Sequence, residues 1–155
     1  MASVCAGAED EKLLRSWFQV YAGMQSLTAE LLAEVERSAG LTSPEFRVLW
    51  HLGSAAERRA PMNEISRLLG FSTAGTTKLI DRLCAEGLVE RRTSPVDRRV
   101  ILAELTADGA GAATRAAQIL AGELRNRFVA KLGEDRVAAL VESFAVLAKD
   151  SGGGC

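Results

Sequence analysis

The chain has 155 residues, 19 Lys and Arg against 20 Asp and Glu for a formal net charge of −1, and is 48% hydrophobic and 25% charged, which fits one domain with its own core and excludes a disordered or low-complexity chain. No basic and apolar leader follows Met1, and no stretch approaches the roughly 20 apolar residues of a membrane span. Cys5, Cys84, Cys155 and the single His51 are too few and too scattered for a disulfide scaffold or a zinc site, so a cytoplasmic protein with no membrane, metal or cofactor is expected.

From Glu9 to Arg37 the residues Leu13, Trp17, Val20, Tyr21, Met24, Leu27, Leu31 and Val35 recur every three or four positions, one face of a long α-helix. Leu14, Phe18 and Leu32 widen that face beyond what one neighbour needs, so part of it is expected to meet a second subunit. Gly40 supplies a C-cap. Ser43, Pro44 and Glu45 read as N-cap, first-turn proline and acid at the positive end of a second helix through Phe46, Leu49, Trp50 and Leu52. Gly53 to Ala60 reads as a connection.

Asn63 reads as the cap of a short helix carrying Ile65, Leu68 and Leu69 and stopped by Gly70. Ser72 then caps a helix to about Ala85, with Ile80 and Leu83 inward and Gly87 closing it. Two short helices about a glycine turn make a helix-turn-helix. Leu88 to Thr93 and Val100 to Leu105 are β-rich, and Pro95 and Asp97 between them favour a hairpin whose tip carries Arg98 and Arg99. Thr106 opens an alanine-rich helix to near Leu132. After Gly133 come Val137, Leu140, Val141, Phe144 and Leu147 on a last amphipathic helix, and residues 151–155 read as a flexible tail.

The order predicts an all-α-dominated (α+β) fold, a winged helix-turn-helix with N- and C-terminal dimerisation helices. The DNA-binding lobe spans 41–105, and 1–40 with 106–150 form the dimerisation helices. Charge supports the division. Between Arg67 and Arg99 stand seven basic residues and four acidic ones, a local +3 against −4 over the rest of the chain. A basic middle between acidic flanks is the footprint of a phosphate-binding part in an otherwise neutral protein, although a solvated charged face has the same appearance.

The stretch from Met62 to Gly109 resembles the MarR family of bacterial transcriptional regulators. The resemblance rests on D-x-R at Asp97 and Arg99, followed after five residues by Leu105-Thr106, with G-L-V-E-R at Gly87 to Arg91 upstream and Gly109 closing the pattern. Leu41-Thr42 with Phe46, Val48 and Leu49 is similar to the family's second helix. Three departures stand out: Thr76 replaces an inward valine, Gly75 lies inside the recognition helix, and Cys84 replaces an acidic residue.

The resemblance implies a homodimer on a double-stranded DNA operator. A recognition helix enters the major groove by its first turns, where Thr73, Ala74, Thr77 and Lys78 are small or hydrogen-bonding enough to reach base edges. Thr77 offers a hydroxyl and a methyl, and Lys78 suits guanine acceptors or phosphate. Ser72 and the helix N-terminus suit a phosphate, and Arg82 is expected on the DNA backbone. Arg98 and Arg99 at the wing tip fit a narrow minor groove with Asp97 orienting one of them; the resemblance implies that Arg99 is the central arginine of the wing, and Arg91 and Arg92 then serve phosphates.

Trp17, Tyr21, Trp50 and His51 are read either as plain core or as a pocket for a small aromatic anion, a ligand class that the resemblance implies. Cys84 is either a thiol switch or a semi-buried small residue. Residues 109–114 look superficially like a dinucleotide loop, but Thr114 occupies the third small position and no βαβ pattern surrounds it. No serine sits beside a base in a nucleophile elbow, so catalysis has no support. The expected function is a ligand-responsive repressor on a pseudo-palindromic operator. The alternatives are a redox-responsive regulator working through Cys84, or a winged-helix protein-interaction module without DNA binding.

Overall fold

The computed structural model describes residues 7–151, with side chains over 7–147. Of the expected tail, Ser151 ends the last helix and the remainder lies outside the described residues, as do Cys5 and Cys155.

The first helix, α1 (Ala8–Ala39), opens with Glu9, Asp10 and Glu11 at its positive end and stops at Gly40, whose φ of 71° only glycine adopts without strain. At 32 residues it is about 48 Å long. Only Leu31 and Val35 are buried in it, both near the C-terminus. Helix α2 (Ser43–Ser54) is capped by Thr42, one residue before the expected Ser43. The reason is Glu45: its carboxylate reaches back to accept from the Thr42 backbone N–H at 2.7 Å and the Thr42 hydroxyl at 2.6 Å, an arrangement that places the acid at N3 of the helix.

Part of the expected connection after α2 is a strand, β1 (Arg59–Pro61). It follows a turn in which Arg58 takes φ 52° and pairs antiparallel with a later strand, Ala60 opposite Ala103. Helix α3 (Met62–Leu69) begins directly from it, with Pro61 and not Asn63 at the cap position, because β1, in the stretch expected as a connection, runs to Pro61 and hands the chain straight to the helix. Gly70, at φ 69°, ends α3 in the left-handed cap conformation. Helix α4 (Thr73–Ala85) follows after three residues, Gly70 to Ser72, and strands β2 (Val89–Thr93) and β3 (Ile101–Leu105) form the wing. The sheet order is β1-β3-β2, antiparallel throughout, with Val89 opposite Leu105 and Thr93 opposite Ile101.

The closing arm is α5 (Ala107–Leu124), a π turn over Arg125–Val129, the short α6 (Ala130–Leu132) and α7 (Glu134–Ser151). Thr106 caps α5 as expected, accepting from the Gly109 N–H at 2.9 Å. The π turn interrupts what the periodicity presents as one helix. Within it, Arg127 bridges Glu123 at 2.6 Å and Glu30 of α1 at 2.9 Å, tying the arm to the first helix.

One core joins α1 to α5 and the three strands, and leaves out the π turn, α6 and α7: Val35 of α1, Leu49 and Leu52 of α2, Ala60 of β1, Ile65 of α3, Ile80 and Leu83 of α4, Val89 of β2, Ala103 of β3 and Ala116 of α5. Ala112, Ala113 and Ala116 are buried because small side chains let α5 approach α1 and α2 closely, so the first half of α5 packs with the lobe. No helix among the described residues is long and apolar enough to cross a membrane.

Candidate nucleic-acid interface

Helix α4 divides cleanly. Thr76, Leu79, Ile80 and Leu83 face the core, while Thr73, Ala74, Thr77, Lys78 and Arg82 are exposed at helical spacing on the opposite side. Ser72 caps the helix, its hydroxyl accepting from the Gly75 N–H at 3.2 Å. Thr76 is 1% exposed, and its hydroxyl donates to the Ser72 carbonyl at 3.1 Å and accepts from the Ser66 hydroxyl at 2.9 Å. A polar residue therefore replaces the inward valine without leaving a buried group unpaired, and it fastens α3 to the start of α4.

The wing tip is ordered by its own polar atoms. Ser94 N–H donates to the Val100 carbonyl at 2.9 Å, closing the hairpin, and the Ser94 hydroxyl accepts from the N–H groups of Val96 and Asp97. The Asp97 carboxylate accepts from the Arg99 backbone N–H at 3.0 Å, from Nε at 3.2 Å and from Nη2 at 3.3 Å. The Arg99 side chain and then its backbone N–H hold the Asp97 carboxyl below the usual carboxylate range. Arg99 is nevertheless 91% exposed, so its guanidinium is oriented and still open to a ligand. Arg98 and Lys78 have no ion-pair partner among the described residues.

The other three arginines are engaged elsewhere. Arg91 pairs with Asp81 and donates to the Thr77 carbonyl at 3.3 Å, joining β2 to α4. Arg92 lies 2.8 Å from Glu90 and 4.0 Å from Glu104. Arg82 lies 2.5 Å from the buried Glu45 of α2. Between α3, α4 and the wing runs a groove of about 690 Å³. Its walls bring together Thr73, Thr77, Arg91, Arg92 and Arg99 of the expected residues, and add Asn63 and Thr93, which sequence reasoning did not select. Asn63 was hidden by its reading as a helix cap; Thr93 ends β2 and carried no signal of its own.

The four expected ligand residues lie in two places. Trp17 stacks on Tyr21 along α1, ring centroids 6.4 Å apart, and Tyr21 borders a groove with Met24 and Leu32. Trp50 tilts against Phe46 on α2 at 6.3 Å and borders a separate cleft of about 210 Å³ with Arg58 and Thr114. His51 borders neither, because its Nε2 lies 2.7 Å from Glu64 Oε1 and links α2 to α3. Trp17, Tyr21 and Trp50 are each about half exposed. Burial raises the pKa of the Cys84 thiol, an effect that Arg91 opposes and that Asp81 and Glu90 reinforce. No cluster among the described residues could hold a metal ion.

Comparison with known proteins places this geometry in context. The sequence profile of the MarR family matches residues 39–100. The multiple antibiotic resistance protein MarR of Escherichia coli (strain K12) is 32% identical over 110 residues, covering 71% of this chain and 75% of that protein. AbsC of Streptomyces coelicolor, a MarR family transcriptional regulator, superposes with a TM-score of 0.77 at 21% identity, over 98% of this chain and 100% of its own. The transcriptional repressor CouR, bound to a 23-mer DNA duplex, superposes with a TM-score of 0.75 at 27% identity, over 94% of this chain and 99% of its own.

Proposed function

Since the chain belongs to the MarR family of transcriptional regulators, we propose that it is a cytoplasmic repressor that binds a pseudo-palindromic operator as a homodimer and releases it when a small aromatic anion binds. The observation that carries the DNA reading is one face that combines a capped helix with a free outer surface (Thr73, Ala74, Thr77, Lys78) and an ordered wing tip presenting Arg98 and Arg99. The spacing suits a duplex whose major groove takes α4, whose minor groove takes the wing tip, and whose backbone passes through the groove between them. Ser72, the N–H groups at the start of α4, Asn63 and Arg92 then lie where phosphates run.

Dimerisation is inferred from the arm. Leu13, Leu14, Trp17, Phe18, Val20 and Tyr21 of α1 and Val141, Phe144, Val146 and Leu147 of α7 are all between 46% and 69% exposed in one protomer. Apolar side chains left this exposed on both helices need a partner in water, and a second copy supplies the same surfaces with two-fold symmetry.

The aromatic ligand reading rests on two separate places, Trp17 with Tyr21 on α1 and Trp50 on α2, rings with an apolar body and a polar handle, while His51 is tied to Glu64 and takes no part in it. A ligand that releases DNA must prefer the non-binding arrangement of the two lobes; a tenfold loss of affinity needs about 1.4 kcal/mol of such preference. The thiol reading has less behind it, since burial of Cys84 keeps more of it as the unreactive thiol at neutral pH. A gel-shift assay with duplexes selected from a random-sequence pool tests the DNA reading. Selection of one recurring inverted repeat supports it, and failure to enrich any duplex leaves the protein-interaction module as the better description.

A further inference from the structure

Glu45 is 3% exposed, a carboxylate inside the lobe. Its Oε2 accepts from the backbone and hydroxyl of Thr42, and its Oε1 lies 2.5 Å from Nη2 of Arg82. The same Nη2 is 3.5 Å from the Thr42 hydroxyl. A buried carboxylate without a counter-charge is costly, so the arginine that the sequence assigns to the DNA backbone is already committed as the partner of that charge. The commitment has a direction. Arg82 sits one turn beyond Lys78 on the recognition helix, and Glu45 sits in the first turn of α2, joined to the dimerisation helix through Leu41 and Gly40.

We infer that Arg82 is a positioning residue: paired with Glu45, it fixes the angle at which α4 leaves the lobe, and it gives the end of α1 a direct mechanical connection to the recognition helix. This rests on the DNA-binding reading above and changes the role of one residue in it. Arg91 supports the same helix from the other side through Asp81 and the Thr77 carbonyl, so α4 is held between α2 and the wing by two arginines, each paired with a carboxylate of the protein. Base recognition is then left to side chains free of such ties, Thr77 and Lys78 among them.

The two roles differ in what they do to DNA binding. A phosphate ligand adds about one unit to the slope of affinity against salt and acts alike on every sequence. A positioning residue changes only the fit to the preferred sequence. The experiment measures binding of the full chain to a duplex it has itself selected from a random pool and to a scrambled duplex of equal length, across a salt series. It uses Arg82→Gln, Glu45→Gln and the double variant. Glu45→Gln keeps an acceptor for Thr42, because glutamine serves a capping box as well as glutamate, and it removes only the anion that holds Arg82.

The expected result is that each single variant loses about tenfold or more on the selected duplex, keeps scrambled binding within about twofold and keeps the salt slope. The double variant should lose no more than either single, as for two ends of one contact. A salt slope lowered by about one unit in Arg82→Gln with equal loss on both duplexes, or tighter binding to both by Glu45→Gln, would overturn the inference in favour of a phosphate contact. Unchanged affinity in both variants would also overturn it. Should Arg82→Gln fail to fold, Glu45→Gln alone decides between the two. Failure of the unmodified protein to select any duplex counts against the DNA reading itself, a different outcome from either.

Discussion

Gly109 lies directly against Leu88: a Cβ placed on Gly109 would stand 2.0 Å from the Leu88 carbonyl oxygen and 2.8 Å from a Leu105 methyl. That carbonyl also accepts from the Thr106 N–H at 3.2 Å, and the Thr106 hydroxyl donates to the Gly87 carbonyl at 2.7 Å. The first turn of α5 is thereby fastened to the point where the chain enters the wing. A tilt of α5 would carry the base of the wing with it, which on the proposed function links the arm to the wing.

Gly109→Ala should therefore be severely destabilising, by about 1–3 kcal/mol or more, because the obstacle is backbone and cannot rotate away. Urea unfolding followed by circular dichroism measures it. A midpoint unchanged from the parent would show that α5 can retreat from β2 without loss.

Gly75→Ala is expected to act in the opposite sense. The added methyl would meet nothing nearer than the Ser72 hydroxyl at 3.4 Å, an ordinary contact, while the helix gains up to about 1 kcal/mol of propensity. Thermal melting should show a higher midpoint. If DNA affinity also rises, the glycine was leaving the start of α4 adaptable until DNA orders it; if only stability rises, the helix was already formed.

These two glycines show what was legible in the sequence. Gly109 closes a spaced motif, and Thr106, Ser72, Gly70 and Gly87 announce caps and turns through local chemistry that needs no tertiary information. The helix order and the wing followed from periodicity of the same local kind. The Thr42 cap was legible as well, since threonine with glutamate three residues on is a capping box, and Ser43 preceding a proline obscured it. Strand β1 was not: three residues ending in proline have no period, and they become a strand only because β3 offers a free edge. The pairings of Arg82 with Glu45 and of Arg91 with Asp81 were equally hidden, for they join residues apart in sequence and give apparent phosphate ligands a partner within the protein.

Arg99→Ala should weaken binding to a selected duplex by about 1–3 kcal/mol with no change in melting temperature, because the side chain is exposed and removes no core. Its partner sets a pH dependence. Asp97 has its pKa lowered in the folded protein, so the ordered tip is fully present above the ordinary carboxylate range and is lost as pH falls through the lowered value. Across about pH 5–8 the tip should not respond. The NMR resonance of Arg99 Nε–H, followed in a pH titration, should move only at the acid end; a transition near neutrality would show that another group controls the wing.

An aromatic carboxylate such as benzoate or salicylate should quench tryptophan fluorescence and release bound DNA over the same concentration range. Trp17→Leu and Trp50→Leu, each measured separately, identify which of the two ring pairs reports binding. Quenching in both variants without release of DNA, or no quenching in the parent, would leave these rings as packing surface.

The most direct measurement is footprinting of the full chain on its selected duplex, with the stoichiometry of the complex determined by sedimentation. A DNA-reading homodimer predicts two chains on one duplex and two protected half-sites related by inverted repeat, with centres about 10 bp apart on one face of the helix. A single chain bound tightly to an isolated half-site, or protection without symmetry, would contradict it.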